Sequence, residues 1–320
     1  MKVLIVGRGV IGTVYGWALA AAGIDVTHVV RRKDLPSADT LDVLDLRPGR
    51  PKHALATYAP KAVEQICRSD GFDLVIVATK HYQAVEALRQ YLPDAGDATI
   101  LLFTANWDGT EEIDRILPRS SALWGYAKSS GGVDAKGVHV VTVDPAVRLG
   151  MLEGSDPARF KAVAAMFHQA GFVLDVKPNI IEWLWVHHAI NGAGIGVCLW
   201  AGGIAEATRN PRTLALVVRA VREALAVVAA RGVQLEDYPD ARGALKTPTL
   251  LACIAAAAGV RLTEKGRRLL GASHFSNSAE EMKRFYFDVL NTGERLGVAV
   301  PNLAAMRERI EAFPAVPPRE

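Results

Sequence analysis

The sequence predicts an α/β fold in which an N-terminal doubly wound sheet is followed by an all-helical C-terminal domain. Short runs rich in Val, Ile and Leu alternate with helix-like periods in the first half of the chain, which is typical of βαβ units. From residue 178 to the end the pattern is helical throughout. We therefore expect two domains, residues 1–177 and residues 178–320.

The apolar runs of the first domain predict buried strands at Lys2–Val6, Asp25–Val30, Asp73–Ala78, Ala98–Phe103 and Ser121–Tyr126. The segments between them predict helices at Val10–Ala22, Ala59–Arg68, Tyr82–Leu92 and Thr110–Leu117. Two further runs, Val138–Val143 and Val147–Leu152, predict a hairpin that turns at Asp144-Pro145. Asp156 as N-cap and Pro157 as first helical residue predict a helix to Ala170, followed by a strand at Phe172–Val176.

Composition excludes several classes of partner. The formal charge of +3 over 320 residues is too small to indicate a nucleic-acid partner. The longest uncharged apolar stretch, Thr249–Val260, is too short to cross a bilayer. Three widely spaced cysteines form no zinc spacing and suit a reducing compartment. We expect a cytoplasmic protein without a membrane, nucleic-acid or metal partner, whose apolar helical domain permits a homodimer without requiring one.

A glycine-rich turn follows the first predicted strand at once and opens an apolar helix. Its sequence is Gly7-Arg8-Gly9-Val10-Ile11-Gly12, the GxGxxG pattern of a Rossmann domain. Gly7 permits the tight turn, Gly9 lets a pyrophosphate approach the backbone, and Gly12 lets helix and strand pack closely. The N–H groups at the helix N-terminus, at Val10 and Ile11, favour bound phosphates. The turn therefore predicts a dinucleotide cofactor.

The residues after the second strand indicate which dinucleotide is bound. An NAD enzyme typically offers Asp or Glu there, to bond the ribose 2′-hydroxyl. This chain instead offers Arg31-Arg32-Lys33, with Asp34 balancing them. A guanidinium can hold a 2′-phosphate through paired hydrogen bonds, so Arg31 favours NADP(H) over NAD(H).

Polar residues follow two other predicted strands at the edge where such sheets bind ligands. Lys80 ends the run LVIVATK, and Asn106 ends the run ILLFTAN. In the helical domain, Trp183, His187 and Asn191 are spaced by four and are expected to share one helix face. A histidine on that face could protonate a carbonyl oxygen. A metal site at His187-His188 is disfavoured, because adjacent helix residues diverge and metal-binding pairs are spaced i, i+4.

Taken together, these motifs resemble the ketopantoate reductase family over nearly the whole chain. The resemblance includes KVLIVGRGVIG, Arg31, VIVATK with Lys80, and LLFTANWDG with Asn106. It continues with EWLWVHHAIN and with AEEMKRFYFDVLNTGERLGVAVPN near the end. It implies a Rossmann domain and a helical domain with the active site between them, and NADPH-dependent reduction of ketopantoate to pantoate.

The resemblance also implies roles for individual residues. Arg31 matches the 2′-phosphate ligand, while Lys80 and Asn106 match residues that bracket nicotinamide and substrate. Asn191 matches a substrate-binding asparagine, and Glu281 matches an active-site glutamate. The family's substrate serine has two candidates here, Ser273 and Ser276.

The chain departs from the family at several positions. The family's general acid is a lysine, where this chain has His187. A second substrate asparagine is replaced by Ile195, and the glycine that usually follows Asn106 is replaced by Trp107. A histidine can act as the acid, although its reference pKa is about 6.5 against about 10.4 for lysine. The two replacements by larger apolar side chains indicate a bulkier, more apolar substrate.

We therefore expect an NADPH-dependent reductase of a small 2-oxo acid, with 2-dehydropantoate as the first candidate. Three alternatives remain open: a paralogous ketoreductase with a bulkier carbonyl substrate, an opine-type dehydrogenase, and an NADPH-binding sensor without turnover.

Overall fold

The computed structural model describes residues 1–31, 38–134, 136–271 and 279–314. The chain divides into two compact units, Met1–Ile181 and Glu182–Glu320. The domain boundary predicted at residues 177 and 178 falls in the turn just before the first helix of the second unit. The first unit is α/β, and the described part of the second contains helices alone, as the fold class predicted.

The first unit is built on an eight-stranded sheet. Its strands, in spatial order, are β12 (Val173–Val176), β11 (Ala146–Gly150), β8 (Ala122–Ala127), β7 (Thr99–Phe103), β6 (Leu74–Val77), β1 (Lys2–Val6), β2 (Asp25–Val29) and β5 (Lys61–Val63). Neighbours pair in parallel, except that β11 runs antiparallel to β8. Among the described residues of this unit, four α-helices accompany these strands: α1 (Val10–Ala20), α2 (Ala84–Tyr91), α3 (Glu111–Asp114) and α4 (Pro157–Gln169).

A second, four-stranded sheet was not predicted. Its spatial order is β4-β3-β10-β9, with β3 (Asp39–Asp45), β4 (His53–Tyr58), β9 (Ser130–Val133) and β10 (His139–Val143). The predicted hairpin turning at Asp144-Pro145 is therefore wrong. The strand before the turn pairs with β3 and β9, whereas the strand after it, β11, pairs with β8 and β12 of the main sheet. Asp144-Pro145 is a crossover between two sheets.

The helix predicted at Ala59–Arg68 is also wrong. Residues Lys61–Val63 form β5, which pairs in parallel with β2 at the edge of the main sheet. A short 3-10 turn at Arg68–Asp70 follows. The segment contains good helix formers such as Ala62, Glu64 and Gln65, but hydrogen bonding to the free edge of β2 overrides that local propensity. By contrast, the predicted N-cap of α4 is confirmed, because the Asp156 carboxylate accepts a bond from the Ala158 N–H at 2.7 Å.

A buried ion pair ties the second sheet to the core of the first unit. The Arg47 guanidinium donates two bonds to Asp45, Nε to Oδ1 at 3.0 Å and Nη2 to Oδ2 at 2.7 Å. A third bond of 2.7 Å reaches the carbonyl of Ala170, at the end of α4. The guanidinium carbon of Arg47, Cζ, lies 4.9 Å from the centre of the Phe172 ring. Because both charged side chains are almost fully buried, each depends on the other for solvation.

The described part of the second unit contains nine α-helices. They are α5 (Ile180–Ala201), α6 (Ile204–Arg209), α7 (Pro211–Ala230), α8 (Pro239–Lys246), α9 (Thr249–Leu262), α10 (Glu264–Gly271), α11 (Ala279–Arg295), α12 (Pro301–Ala304) and α13 (Arg307–Glu311). Glu223 of α7 accepts bonds from the backbone N–H groups of Asn302 and Leu303, which fixes the N-terminus of α12. Among the described helices, none combines the length and the apolar character needed to span a bilayer.

Candidate functional site

The three glycines of the GxGxxG turn differ in what surrounds them. Gly7 adopts φ +105°, which only glycine tolerates readily, and a Cβ there would lie 3.0 Å from the Ala78 carbonyl oxygen. A Cβ on Gly12 would collide with the carbonyl oxygen of Gly7. At Gly9 the position of a Cβ has no atom within 4 Å. Two glycines therefore serve internal packing, whereas the third keeps the backbone open to an approaching ligand.

Helix α1 begins directly at this opening. Gly9 is its N-cap without a side-chain cap, and its first turn carries no acidic residue. The first N–H groups of a helix lack intrahelical partners and favour an anion. The side chains of Val10 and Ile11 are partly buried against the core, so that their backbone N–H groups are held at the helix start. The turn thus fits the pyrophosphate of a dinucleotide.

Arg31 lies two residues beyond the end of β2 and is exposed. Burial raises the pKa of the Tyr91 hydroxyl, and the positive charge of Arg31 opposes that rise, which indicates that Arg31 lies near the end of α2. Arg32, Lys33 and Asp34 lie outside the described residues. Arg31 is therefore the basic residue after β2 whose position the structure describes.

Arg8, between the first two glycines, was not singled out from the sequence. Its Nη2 donates to the Asp39 carboxylate at 2.8 Å, and the two side chains are 14% and 16% exposed. His139 Nε2 lies 3.5 Å from the other oxygen of Asp39. Burial alone would raise the pKa of Asp39, but hydrogen bonds from His139 and Arg8 outweigh it and lower that pKa. An ionised carboxylate therefore holds Arg8 beside the glycine turn.

Lys80 and Asn106 follow β6 and β7, which are parallel neighbours, and so lie at the same edge of the sheet. The Thr104 hydroxyl donates to the Thr79 carbonyl at 2.9 Å and joins the two loops. Lys80 is partly buried, with its Nζ 5.9 Å from the centre of the Tyr82 ring. The structure therefore brings the two predicted residues to one edge, as their positions after successive strands indicated.

The Asn106 side chain is bonded within its own loop. Its Nδ2 donates to the Gly109 carbonyl at 2.7 Å, and its Oδ1 accepts from the Gly109 N–H at 2.9 Å. Trp107 is only 3% exposed and packs in the interior. Asn106 thus shapes the loop after β7, and the large side chain beside it serves packing in this unit.

Lys128 is a further basic residue at this edge that the sequence reasoning missed. It follows β8 directly, and β8 is parallel to β7. Its Nζ lies 3.6 Å from the Asp144 carboxylate. The sequence signal for Lys128 is the same as for Lys80, a lysine at the end of an apolar strand. It is weaker here because the strand before Lys128 contains Gly125 and Tyr126 and is less uniformly apolar.

In the second unit, the predicted shared face of Trp183, His187 and Asn191 on α5 is confirmed. The His187 ring stacks on the Trp183 indole, with ring centres 4.8 Å apart and planes inclined by 19°. Its Nε2 lies 2.9 Å from the Asn191 side-chain nitrogen. His187 is partly exposed. A stacked ring below and an amide above thus fix the imidazole.

His188 faces elsewhere. It is buried, stacks on the Phe285 ring at 4.2 Å, and places Nε2 3.1 Å from the Asp288 carboxylate. The two adjacent histidines therefore have different surroundings, as expected of neighbours on a helix. No group of three or more potential metal ligands occurs among the described residues.

Helix α11 packs closely on α5 because two glycines of α5 face it. A Cβ on Gly192 would collide with the Phe285 carbonyl oxygen, and one on Gly196 would lie 2.5 Å from the Tyr286 ring. Glu281, in the first turn of α11, is partly buried one turn before Phe285. Ser273 and Ser276 lie outside the described residues.

The partly exposed face of α5 continues beyond Asn191 with small and apolar residues. Gly194, Ile195 and Cys198 follow at helical spacing, and a Cβ on Gly194 would meet no atom within 4 Å. Burial raises the pKa of the Cys198 thiol to about 12, so it stays an uncharged, weakly polar group. This face of α5 therefore consists of a polar pair, His187 and Asn191, followed by small and apolar residues.

Comparison with known proteins agrees with these features. A family model described as "Ketopantoate reductase PanE/ApbA" matches residues 3–154. A 2-dehydropantoate 2-reductase of Pyrococcus abyssi is 26% identical over 244 residues, 75% of this chain and 77% of that protein. The crystal structure of 2-dehydropantoate 2-reductase from Geobacter metallireducens is similar at TM-score 0.70 and 20% identity, covering 97% of this chain and 99% of that one.

A solved complex of D-mandelate dehydrogenase with NADH has the same fold. Its TM-score is 0.70 at 18% identity, and the match covers 98% of each chain. The family model accounts for most of the α/β unit, and both structures extend the likeness across nearly the whole chain. Together with the glycine turn and the residues at the strand ends, these matches show a ketopantoate reductase domain at residues 3–154, in a chain that is similar to 2-dehydropantoate 2-reductases over most of its length.

Proposed function

We propose that this protein catalyses the NADPH-dependent reduction of a small 2-oxo acid to the corresponding 2-hydroxy acid. The observation that carries the proposal is the glycine turn, open at Gly9 and backed by the N-terminus of α1. The similarity to 2-dehydropantoate 2-reductases and the basic residue after β2 support it. The proposed cofactor ligands are Gly7, Gly9, Val10, Ile11, Gly12, Arg31, Lys80 and Asn106.

The preference for NADP(H) over NAD(H) rests on Arg31. It occupies the position after β2 where a ribose 2′ substituent is bound in Rossmann domains, and it is exposed to a ligand. A similar fold binds NADH in D-mandelate dehydrogenase, so the fold alone does not select the cofactor. The positive charge of Arg31 is therefore the reason for proposing NADP(H) rather than NAD(H) as the cofactor.

Replacing Arg31 by alanine should raise the KM for NADPH by about 10-fold to 100-fold, because a charge-assisted bond to phosphate is lost. The KM for NADH should change little, since NADH carries no 2′-phosphate. Initial rates with both cofactors measure the effect, and Arg89→Ala, which removes an exposed arginine paired with Glu112, is the matched control. Equal effects on the two cofactors would overturn the phosphate assignment.

Bound NADPH would supply hydride to the carbonyl carbon of the substrate. We propose that His187 donates a proton to the carbonyl oxygen, giving the hydroxyl group of the product. The Trp183 stack and the Asn191 amide hold the imidazole in one orientation. A fixed acid reduces the orientational entropy that proton transfer would otherwise require.

The remaining roles follow the family pattern and the local contacts. Lys80 supplies positive charge at the sheet edge, where it can polarise the carbonyl oxygen or bind the carboxylate of the substrate. Asn106 orders the loop after β7 through its two bonds to Gly109. Asn191 and Glu281 are proposed to bind or orient the substrate, with Ser273 or Ser276 as an additional ligand.

The substrate is proposed to be 2-dehydropantoate or a 2-oxo acid with a larger apolar group. Ile195 favours the second candidate, because it replaces a polar family residue on the α5 face beyond Asn191. The fold shared with D-mandelate dehydrogenase, whose name denotes an aromatic 2-hydroxy acid, supports the same class. The burial of Trp107 removes one of the two sequence arguments for it.

An NADPH-oxidation screen tests the proposal. We expect turnover with at least one of 2-dehydropantoate, 2-oxoisocaproate and benzoylformate. A preference for 2-dehydropantoate would assign the family reaction, and a preference for the other two would assign the apolar class. Turnover that requires an added amine would indicate the opine-type alternative. Tight NADPH binding without oxidation by any carbonyl compound would overturn the proposal in favour of a sensor.

A further inference from the structure

We propose that Arg8 is a second ligand of the ribose 2′-phosphate beside Arg31, and that Asp39 holds Arg8 in position for it. The inference rests on the proposed function, because it assumes that a phosphorylated dinucleotide binds at the glycine turn. It adds a cation that neither the glycine pattern nor the basic stretch after β2 identifies.

Strand register places the two arginines at matching positions. β1 and β2 are parallel neighbours, and Val6 is the partner of Val29. Arg8 follows Val6 by two residues, just as Arg31 follows Val29 by two residues. Adjacent strands lie about 4.8 Å apart, well within the length of an arginine side chain. Both arginines therefore leave the same edge of the sheet, and Arg8 lies between Gly7 and Gly9 of the glycine turn.

Asp39 keeps the Arg8 side chain on this side of the turn. The ion pair of 2.8 Å joins the glycine turn to the first residue of β3, and His139 of β10 contacts the same carboxylate at 3.5 Å. Two strands of the second sheet thus supply the anchor. A guanidinium has five N–H donors in a rigid plane, so it can hold a carboxylate and a phosphate together.

The partners of Asp39 also limit its repulsion of a phosphate. An acidic residue near a 2′-phosphate would weaken binding if its charge were not compensated. Arg8 compensates that charge here, and His139 contacts the same carboxylate. His28, buried in β2 beneath this cluster, lies 3.0 Å from the Tyr58 hydroxyl. Burial lowers the pKa of His28 to about 4, so it is neutral at pH 7 and adds no charge. Arg8 therefore contributes a fixed positive charge to this cluster.

The test compares two nucleotides that differ only in the 2′-phosphate, adenosine 2′,5′-bisphosphate and 5′-AMP, by calorimetric titration of the intact protein. Neither contains nicotinamide, so the readout is independent of turnover. We expect Arg8→Gln to reduce the ratio of the two affinities by about 10-fold, and Arg8→Lys to reduce it less. Arg89→Gln is the matched control and should leave the ratio unchanged.

The proposal that Asp39 holds Arg8 in position is tested by Asp39→Ala, alone and combined with Arg8→Gln. We expect the single variant to reduce the same ratio, and the double variant to reduce it no further than Arg8→Gln does, because both changes remove one interaction. An equal loss for both nucleotides in Arg8→Gln would make Arg8 a structural residue. An unchanged ratio of the two affinities in Asp39→Ala would overturn the positioning role of Asp39. Wild-type protein that binds neither nucleotide would contradict the proposed function itself.

Discussion

Replacing His187 with alanine should reduce kcat by about 100-fold or more, because the proposed acid for the carbonyl oxygen is lost. The KM for NADPH should stay within about twofold, since a mutation that removes only a proton donor leaves cofactor binding intact. Steady-state rates of NADPH oxidation, with the preferred substrate of the screen, measure both quantities.

Two further variants separate chemistry from packing. His187→Gln retains a planar polar group against Trp183 but cannot act as an acid, so it should be as inactive as the alanine variant. His187→Lys restores the residue type that the family uses, and it should recover activity with a pH profile extended towards alkaline pH. A His187→Ala variant with nearly normal kcat would return His187 to a structural role.

Replacing Arg47 with alanine should lower the free energy of unfolding by about 3–5 kcal/mol, because it leaves the buried Asp45 carboxylate without its partner. The variant also loses the bond to the Ala170 carbonyl and the stack on Phe172. Urea denaturation followed by circular dichroism measures the change, which is large against the total stability of a typical domain.

Arg50→Ala is the matched control, because Arg50 lies in the same turn and is exposed. It should change the free energy of unfolding by less than about 0.5 kcal/mol. The double variant Asp45→Asn/Arg47→Met should be less destabilised than Arg47→Ala, since it leaves no unpaired charge. An Arg47→Ala protein as stable as wild type would show that the buried pair contributes no net stability.

The main sheet could be predicted because its strands are continuous apolar runs whose pattern does not depend on their neighbours. The second sheet could not, because β3, β4 and β10 mix polar and apolar residues and reach their partners only through long-range pairing. The segment Leu46–Lys52 has the composition of a turn. Nothing in the local sequence reveals that Arg47 is buried and donates to the carbonyl of Ala170, 123 positions along the chain. Local composition also misassigned β5.

The site was predictable where one residue or one spacing carries the signal. The glycines, Lys80 and the face of His187 are of this kind. The Arg8–Asp39 pair was not, because the two residues are 31 positions apart, with Arg8 in the turn after β1 and Asp39 at the start of β3 in the second sheet. The two bonds from Asn106 to Gly109 were not predictable either, since no sequence pattern distinguishes an amide that binds a ligand from one that bonds its own loop.

The central claim is that the glycine turn binds NADP(H), and a titration of NADPH against wild type and Gly9→Val tests it most directly. Gly9 has an extended backbone and open space at its Cβ position, so the variant should fold with an unchanged melting temperature. The added side chain would occupy the approach of the pyrophosphate, and we expect the affinity for NADPH to fall by at least about 10-fold, as a lost charge-assisted bond would give. Wild-type protein that does not bind NADPH, or a folded Gly9→Val variant that binds it equally well, would contradict the account.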